Sequence, residues 1–241
     1  MQGQSNLFDF CSRKRRIGSS MKKDLLDVLE KIDCNDYTLK EITLYFERFD
    51  GYTLKIETTN YSIKIKIDKF VLPHILGLQY AYGDRKDNRE YKGKAGFEKL
   101  KNGRITTEEL RRLIKVKPKT KVGWKMIERR IEYLPVFLNT LERRTRFKII
   151  AEENVARNSS LKGKYAIFKT MYENGKQVFP MISLKEINDN KIIIETFIVE
   201  DSVSFLGGLE EENVLKMELV SPLDKTNPQT IIKEKVTVDS K

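Results

Sequence analysis

The chain has 241 residues, with 46 Lys and Arg against 35 Asp and Glu, a formal charge of +11. Its 39% apolar and 10% aromatic content is too high for a disordered chain, and no apolar run approaches the roughly 20 residues that cross a bilayer. Two cysteines, Cys11 and Cys34, and a single histidine exclude a disulfide framework and leave too few ligands for a structural zinc site.

Residues 1–20 hold the basic cluster Arg13-Lys14-Arg15-Arg16 followed by Gly18-Ser19-Ser20, without sustained periodicity. They lack the apolar stretch of roughly 7–15 residues typical of a secretory leader, so a cytoplasmic protein with no membrane partner is expected. This segment reads either as a flexible tail or as an arm that contacts phosphates; charge runs are usually solvated, which favours the tail. Residues 21–241 are expected to form one domain. Leu25, Leu26, Leu29 and Ile32, with Val28 on the same face, predict an amphipathic helix.

Tyr52–Thr58 and Ser62–Ile67 alternate apolar and polar residues across the short link Thr59-Asn60-Tyr61, which predicts a β-hairpin with one buried face. Phe70–Tyr80 switches to a denser apolar pattern, with Pro73 suited to a first helical turn. Residues 82–104 carry four glycines and read as a loop with a short helix near Gly96–Leu100. Thr106 and Glu109 form a capping-box signature ahead of Leu110, Leu113 and Ile114. Lys115–Lys121 is a basic link. A longer helix is predicted from Trp124 through Leu141, with Pro135 expected to bend or divide it.

From Phe147 the pattern becomes β. Phe147–Ile150, Tyr165–Phe168, Gln177–Ile182, Lys191–Val199, Asn213–Val220 and Thr230–Val238 are strand candidates, and Asn174-Gly175 is a hairpin turn between the second and third. The order is an N-terminal helix and hairpin, central helices, then a mostly antiparallel sheet: an α+β fold.

The positive excess attracts polyanions, nucleic acid first. His74 is the sole imidazole available to any mechanism. At a helix N-terminus its neutral form would be favoured, suiting it as a base near pH 7. Among Leu72, Ile75, Leu76 and Leu78 it equally reads as a partly buried ring with one satisfied hydrogen bond. Arg129, Arg130, Arg143, Arg144 and Arg146 lie on or after the long helix; Arg130, between Ile127 and Ile131, is placed to turn inward and offer a phosphate two hydrogen bonds. A solvated helix face is the alternative for each. Lys162 and Lys164 bracket Gly163, whose missing Cβ would let the backbone approach a ligand. Glu195, Glu200 and Asp201 are the best carboxylate group for a metal, but their spacing makes no convincing two-metal site. Neither cysteine has a nearby histidine, which argues against a thiol nucleophile.

Phe70-Val-Leu-Pro-His-Ile-Leu-Gly-Leu78 resembles the F-x-H-L-x-G-L block of the phage Barnase–EndoU–Colicin–RelE-like (BECR fold) nucleases of Firmicutes and their mobile elements. Further segments resemble that family in order: Phe97–Thr106 its short helix ending in N-G-x-I-T, Ile127–Leu134 its R-[LI]-x-[YF]-[LF] helix, Ser160–Tyr165 its K-A-D-Y strand start, and Ser204-Phe205 a late S-F. Lys164 stands where that pattern has an acidic residue, and Val203 where a basic one is common. The resemblance covers about Met21 to Val220. It implies a metal-independent endoribonuclease, with no cofactor, that cleaves RNA by 2′-hydroxyl attack, such as a toxin, phage-defence or mobile-element effector paired with a protein inhibitor or antitoxin. His74 would be base or acid, Arg130 and Lys162 would stabilise developing charge, and Ser204 would orient a phosphate oxygen. Arg129, Arg143, Arg144, Arg146 and Lys164 would bind nucleic acid. The second acid–base group stays open among Lys162, Tyr133 and a carboxylate. Two rivals stand beside this reading: a non-catalytic nucleic-acid-binding module on the same fold, and a metal-dependent DNA endonuclease using Glu195 or Asp201.

Overall fold

A computed structural model describes residues 29, 31–82, 88–116, 123–142, 148–151, 163–187, 191–202 and 211–222. The N-terminal tail, most of the first predicted helix and the Thr230–Val238 strand candidate lie outside these residues.

Helix α1 (Leu39–Glu47) opens the described fold. Thr38 and Glu41 cap it reciprocally: the Glu41 N–H donates to Thr38 Oγ1 at 3.1 Å, and the Thr38 N–H donates to Glu41 Oε2 at 2.8 Å. The predicted hairpin follows as β1 (Thr53–Thr58) and β2 (Ser62–Lys66), paired antiparallel with Leu54 opposite Ile65 and Ile56 opposite Ile63. Asp68 caps a 3₁₀ turn (Lys69–Val71) that runs into α2 (Leu72–Ile75). The helical turn expected at Pro73 is thus present, and Gly77, at φ +74°, ends it before α3 (Leu78–Tyr82).

The glycine-rich stretch contains a 3₁₀ turn (Asn88–Tyr91) and α4 (Gly93–Lys101). The Thr106 cap is present at α5 (Thr107–Val116), where the Glu109 N–H donates to Thr106 Oγ1 at 3.1 Å. Helix α6 (Trp124–Glu142) runs unbroken through Pro135, so Pro135 does not divide it. Burial of Leu134, Pro135, Val136 and Phe137 holds that turn in place despite the missing hydrogen bond.

The remaining strands are β3 (Lys148–Ala151), β4 (Tyr165–Phe168), β5 (Met171–Glu173), β6 (Lys176–Ile187), β7 (Lys191–Glu200) and β8 (Glu211–Val220). Asn174 and Gly175 both take positive φ, 52° and 76°, in the two-residue turn joining β5 to β6. Strands β4 and β5 lie end to end along one edge of β6, so the predicted hairpin is present with its first strand in two pieces. The sheet has eight strands in the order β4-β3-β8-β1-β2-β7-β6-β5, and the extra β4–β6 pairing closes it on itself. Its pairs are antiparallel except β2–β7. The architecture is α+β.

Leu54, Ile65, Ile167, Leu184 and Ile194 face the interior of the closed sheet, joined there by Phe137 from α6. Phe137 also stacks on Phe46 of α1 and meets Phe197 of β7, at centroid distances of 6.1 and 5.7 Å. Each such side chain withdrawn from water contributes about 1.5–3 kcal/mol. Helices α2 and α6 both pack against β7. That shared strand brings distant parts of the sequence together.

Candidate active site

In α2, Leu72, Pro73 and Ile75 are buried while His74 is exposed. The tightly apolar neighbourhood therefore anchors the segment, and the His74 ring meets Glu195 of β7 through one backbone hydrogen bond, which leaves both expected readings of this residue standing. The helix has four residues and His74 lies in its last turn, so it has no macrodipole to keep the ring neutral. Other causes lower the His74 pKa: protein packed around the ring first, then the Arg130 guanidinium, then Lys92 just ahead of α4. Glu195 on β7 opposes them through its charge and a backbone hydrogen bond to the ring. The net effect is still a ring less basic than ordinary histidine.

Gly77 explains how His74 and Arg130 come together. A Cβ there would lie 2.3 Å from Ile127 Cδ1, so the turn after α2 presses directly on α6, one helical turn before Arg130. Arg130 is 3% exposed, between the fully buried Ile127 and Ile131. Its guanidinium sits 5.6 Å from the centre of the Tyr80 ring. Burial lowers its pKa, with Tyr80 and then Glu200 opposing; an arginine nonetheless stays charged. Its Nη1 is buried and makes no hydrogen bond. Such a donor is costly to leave unmatched, typically about 1–3 kcal/mol and more for a charged group.

Gly163 lies on the same wall. A Cβ there would stand 2.1 Å from Ser183 Oγ, 2.8 Å from the Leu184 carbonyl oxygen and 3.0 Å from Glu195 Oε2. The close approach expected of this glycine is thus made to β6 and β7 rather than to a ligand. The Ser183 hydroxyl donates to Glu195 Oε2 at 2.7 Å, fixing that carboxylate.

His74 and Arg130 are the two expected catalytic residues that the described structure brings together. Lys162, Ser204, Arg143, Arg144 and Arg146 lie outside the described residues. Arg129 Nη2 donates to Asp201 Oδ1 at 2.7 Å, and Lys164 Nζ to Glu186 Oε2 at 2.6 Å. Both cations therefore carry a carboxylate partner at the protein surface.

Several other candidates are placed elsewhere. Cys34 is 1% exposed, and burial followed by the Glu128 charge pushes its thiol up to about 11, so it is no nucleophile near neutral pH. Tyr133 is buried, its hydroxyl donating to Glu173 Oε2 at 3.1 Å, and burial and that bond raise its pKa further. Glu195 turns to Ser183 and Asp201 to Arg129, and among the described residues no three His, Cys, Asp or Glu side chains gather to hold a metal ion. Tyr80 and Lys92 carry no sequence signal for a place at this site; packing of α2, α3 and α4 around His74 puts them there.

The Arg130 guanidinium is bonded by Tyr80 while its Nη1 has no partner, and its charge is felt by the His74 imidazole; these are groups that anion and proton chemistry uses. The model of the family described as phage-Barnase-EndoU-ColicinE5/D-RelE like nuclease 4 (PBECR4) matches the chain over residues 38–236. The chain belongs to the PBECR4 nuclease family. No curated protein and no solved structure matches it. PBECR4 membership makes nucleic acid the substrate class, in keeping with the net charge of +11. Among the described residues of this PBECR4 chain no helix is long and apolar enough to cross a membrane.

Proposed function

We propose that this PBECR4 protein is an endoribonuclease that cleaves RNA without a metal. The 2′-oxygen attacks phosphorus as its proton passes to a base, and the P–O5′ bond breaks as the leaving oxygen gains a proton. His74 serves as the base for the first transfer, since its lowered pKa keeps it neutral and receptive near pH 7. The buried Arg130 cation stabilises the charge that grows on the non-bridging phosphate oxygens. Lys162 and Ser204 are assigned supporting contacts to the same phosphate. Each such preorganised donor lowers the barrier by about 3–4 kcal/mol. Glu195, whose backbone bonds the His74 ring, is assigned as the second acid–base group.

The observation that carries this reading is the nuclease family match, with the turn after His74 packed through Gly77 against α6 one helical turn before Arg130. A cytoplasmic effector role, as a toxin or phage-defence factor held by a protein inhibitor, fits an enzyme of this kind.

The test is incubation of purified protein with mixed RNA and DNA, with and without EDTA. Cleavage of RNA alone, undiminished by EDTA and abolished in His74→Ala, is expected. Salt-sensitive binding without cleavage would instead favour a binding module, and Mg²⁺-dependent DNA cleavage lost in Glu195→Gln would favour a metal nuclease.

A further inference from the structure

Two of the cations expected to hold nucleic acid are engaged elsewhere, Arg129 with Asp201 and Lys164 with Glu186. A different set stands open on the outer face of the sheet. Strands β1 and β2 turn Leu54, Ile56, Ile63 and Ile65 inward, so the two-residue period turns Lys55, Lys64 and Lys66 outward. Strand β2 runs parallel to β7 with Ile65 beside the buried Ile192, which puts Lys191 and Ile193 on that outer face. Ile193 in turn lies opposite Lys185 of β6, which adds a fifth lysine. The five spread over four neighbouring strands, β1, β2, β7 and β6. Lys64, Lys66, Lys185 and Lys191 are exposed and Lys55 is half-buried. Among the described residues none of the five has a carboxylate partner; Glu218, opposite Lys55 on β8, bonds Lys216 instead, at 2.7 Å.

We propose that this lysine face is where the phosphate backbone of the RNA docks, outside the catalytic site. The proposal rests on the endoribonuclease reading for the identity of the polyanion. Lys55 stands directly opposite Lys64, and like charges so placed destabilise an antiparallel pair. A polyanion laid over the pair removes that repulsion. Lys64 and Lys66, two residues apart on one strand, are spaced by about 6.6–6.8 Å, and their flexible stems let each ammonium follow a bending backbone. Ammonium groups of this kind meet phosphates as point charges and position a strand without reading its sequence. The face also leads toward the site, because β7, which Lys191 opens, receives α2 and with it His74. An acidic protein would feel the same charge. Protein interfaces, however, are poor in lysine and anchored by aromatic and arginine side chains, and the outer positions around these lysines are Ser62, Ile187 and Ile193. That composition favours RNA.

The experiment is a salt series of fluorescence titrations of the full-length protein with a noncleavable 2′-deoxy-substituted strand. Lys64→Gln/Lys66→Gln is compared with Lys40→Gln/Lys176→Gln, which removes the same charge from exposed positions on α1 and at the far end of β6. The sheet variant should bind on the order of tenfold more weakly at about 0.1 M salt, with a log–log salt slope shallower by about 1.4, equally for strands of different base sequence. The comparison variant should stay within about twofold of wild type. Thermal unfolding of the sheet variant should match or exceed wild type, since the repulsion between Lys55 and Lys64 is gone. Should that variant misfold, Lys185→Gln/Lys191→Gln makes the same test from β6 and β7, with the same loss expected. Equal affinity and slope in the sheet and comparison variants overturn the proposal and turn this face toward an acidic protein partner, leaving RNA cleavage by His74 standing. A loss confined to one base sequence overturns it too. A wild-type protein that shows the expected binding but leaves RNA uncut removes the nuclease reading and keeps the docking surface.

Discussion

At His74, the packing and cations that suit the ring to act as a base also leave a mark on folding. Its folded pKa is lowered from 6.5, burial being the largest cause and Arg130 the next. Above pH 6.5 both folded and unfolded states carry a neutral ring. As pH falls below 6.5 the unfolded chain takes up the proton first, so stability declines until the folded ring also titrates. Urea unfolding between pH 7.5 and 5 should show this slope in wild type and a smaller one in His74→Gln. Gly163 offers a second residue-scale check. In Gly163→Ala the new methyl group meets both the Ser183 hydroxyl and the Leu184 carbonyl, a clash of the overpacking kind that costs about 1–3 kcal/mol. Thermal unfolding should report that loss, and adding Ser183→Ala should recover part of it by removing the nearer atom. His74 and Arg130 were legible as candidates because residue type and helical spacing single them out. The resemblance places both in one site, but the contact that joins their segments, Gly77 against Ile127, spans 50 positions and leaves no local signal.

Elements differ in how openly they announce themselves. The β1–β2 hairpin and the β5–β6 turn were legible because alternation and Asn-Gly are local signals with a local cause. Helix α1 escaped the reading of periodicity, although Thr38 and Glu41 spell a capping box. Thr38→Ala should therefore lower stability by about 1 kcal/mol in chemical denaturation, the usual worth of such a cap. Pro135 misled for the opposite reason: its local penalty is real, but burial of the flanking side chains of α6 outweighs it. At the other end of the hairpin, Glu212 is 6% exposed; its burial resists ionisation, yet donors from Thr58 and Asn60 hold its carboxyl below the usual range. No short window of sequence reveals that pairing, which spans more than 150 positions.

For the whole molecule, closure of the sheet is what makes a site out of separated segments. Strand β7 pairs with β6 and β2 and also receives α2 and α6, so residues near 74, 130, 163 and 195 converge on one wall. Charge acts on this same scale. A net charge of +11 should make RNA association strongly salt-dependent, with affinity falling as a power of salt concentration. Fluorescence titration of a noncleavable 2′-deoxy-substituted strand should show a steep slope, with the slope shallower by about one charge in Arg130→Gln. The central claim is attack by the RNA's own 2′-hydroxyl with His74 taking its proton. Mapping the ends left on RNA cleaved in EDTA tests it most directly: 2′,3′-cyclic phosphate on one fragment and 5′-hydroxyl on the other are predicted, with neither formed by His74→Ala. Fragments bearing 5′-phosphate, or the same products from the alanine variant, would contradict the account.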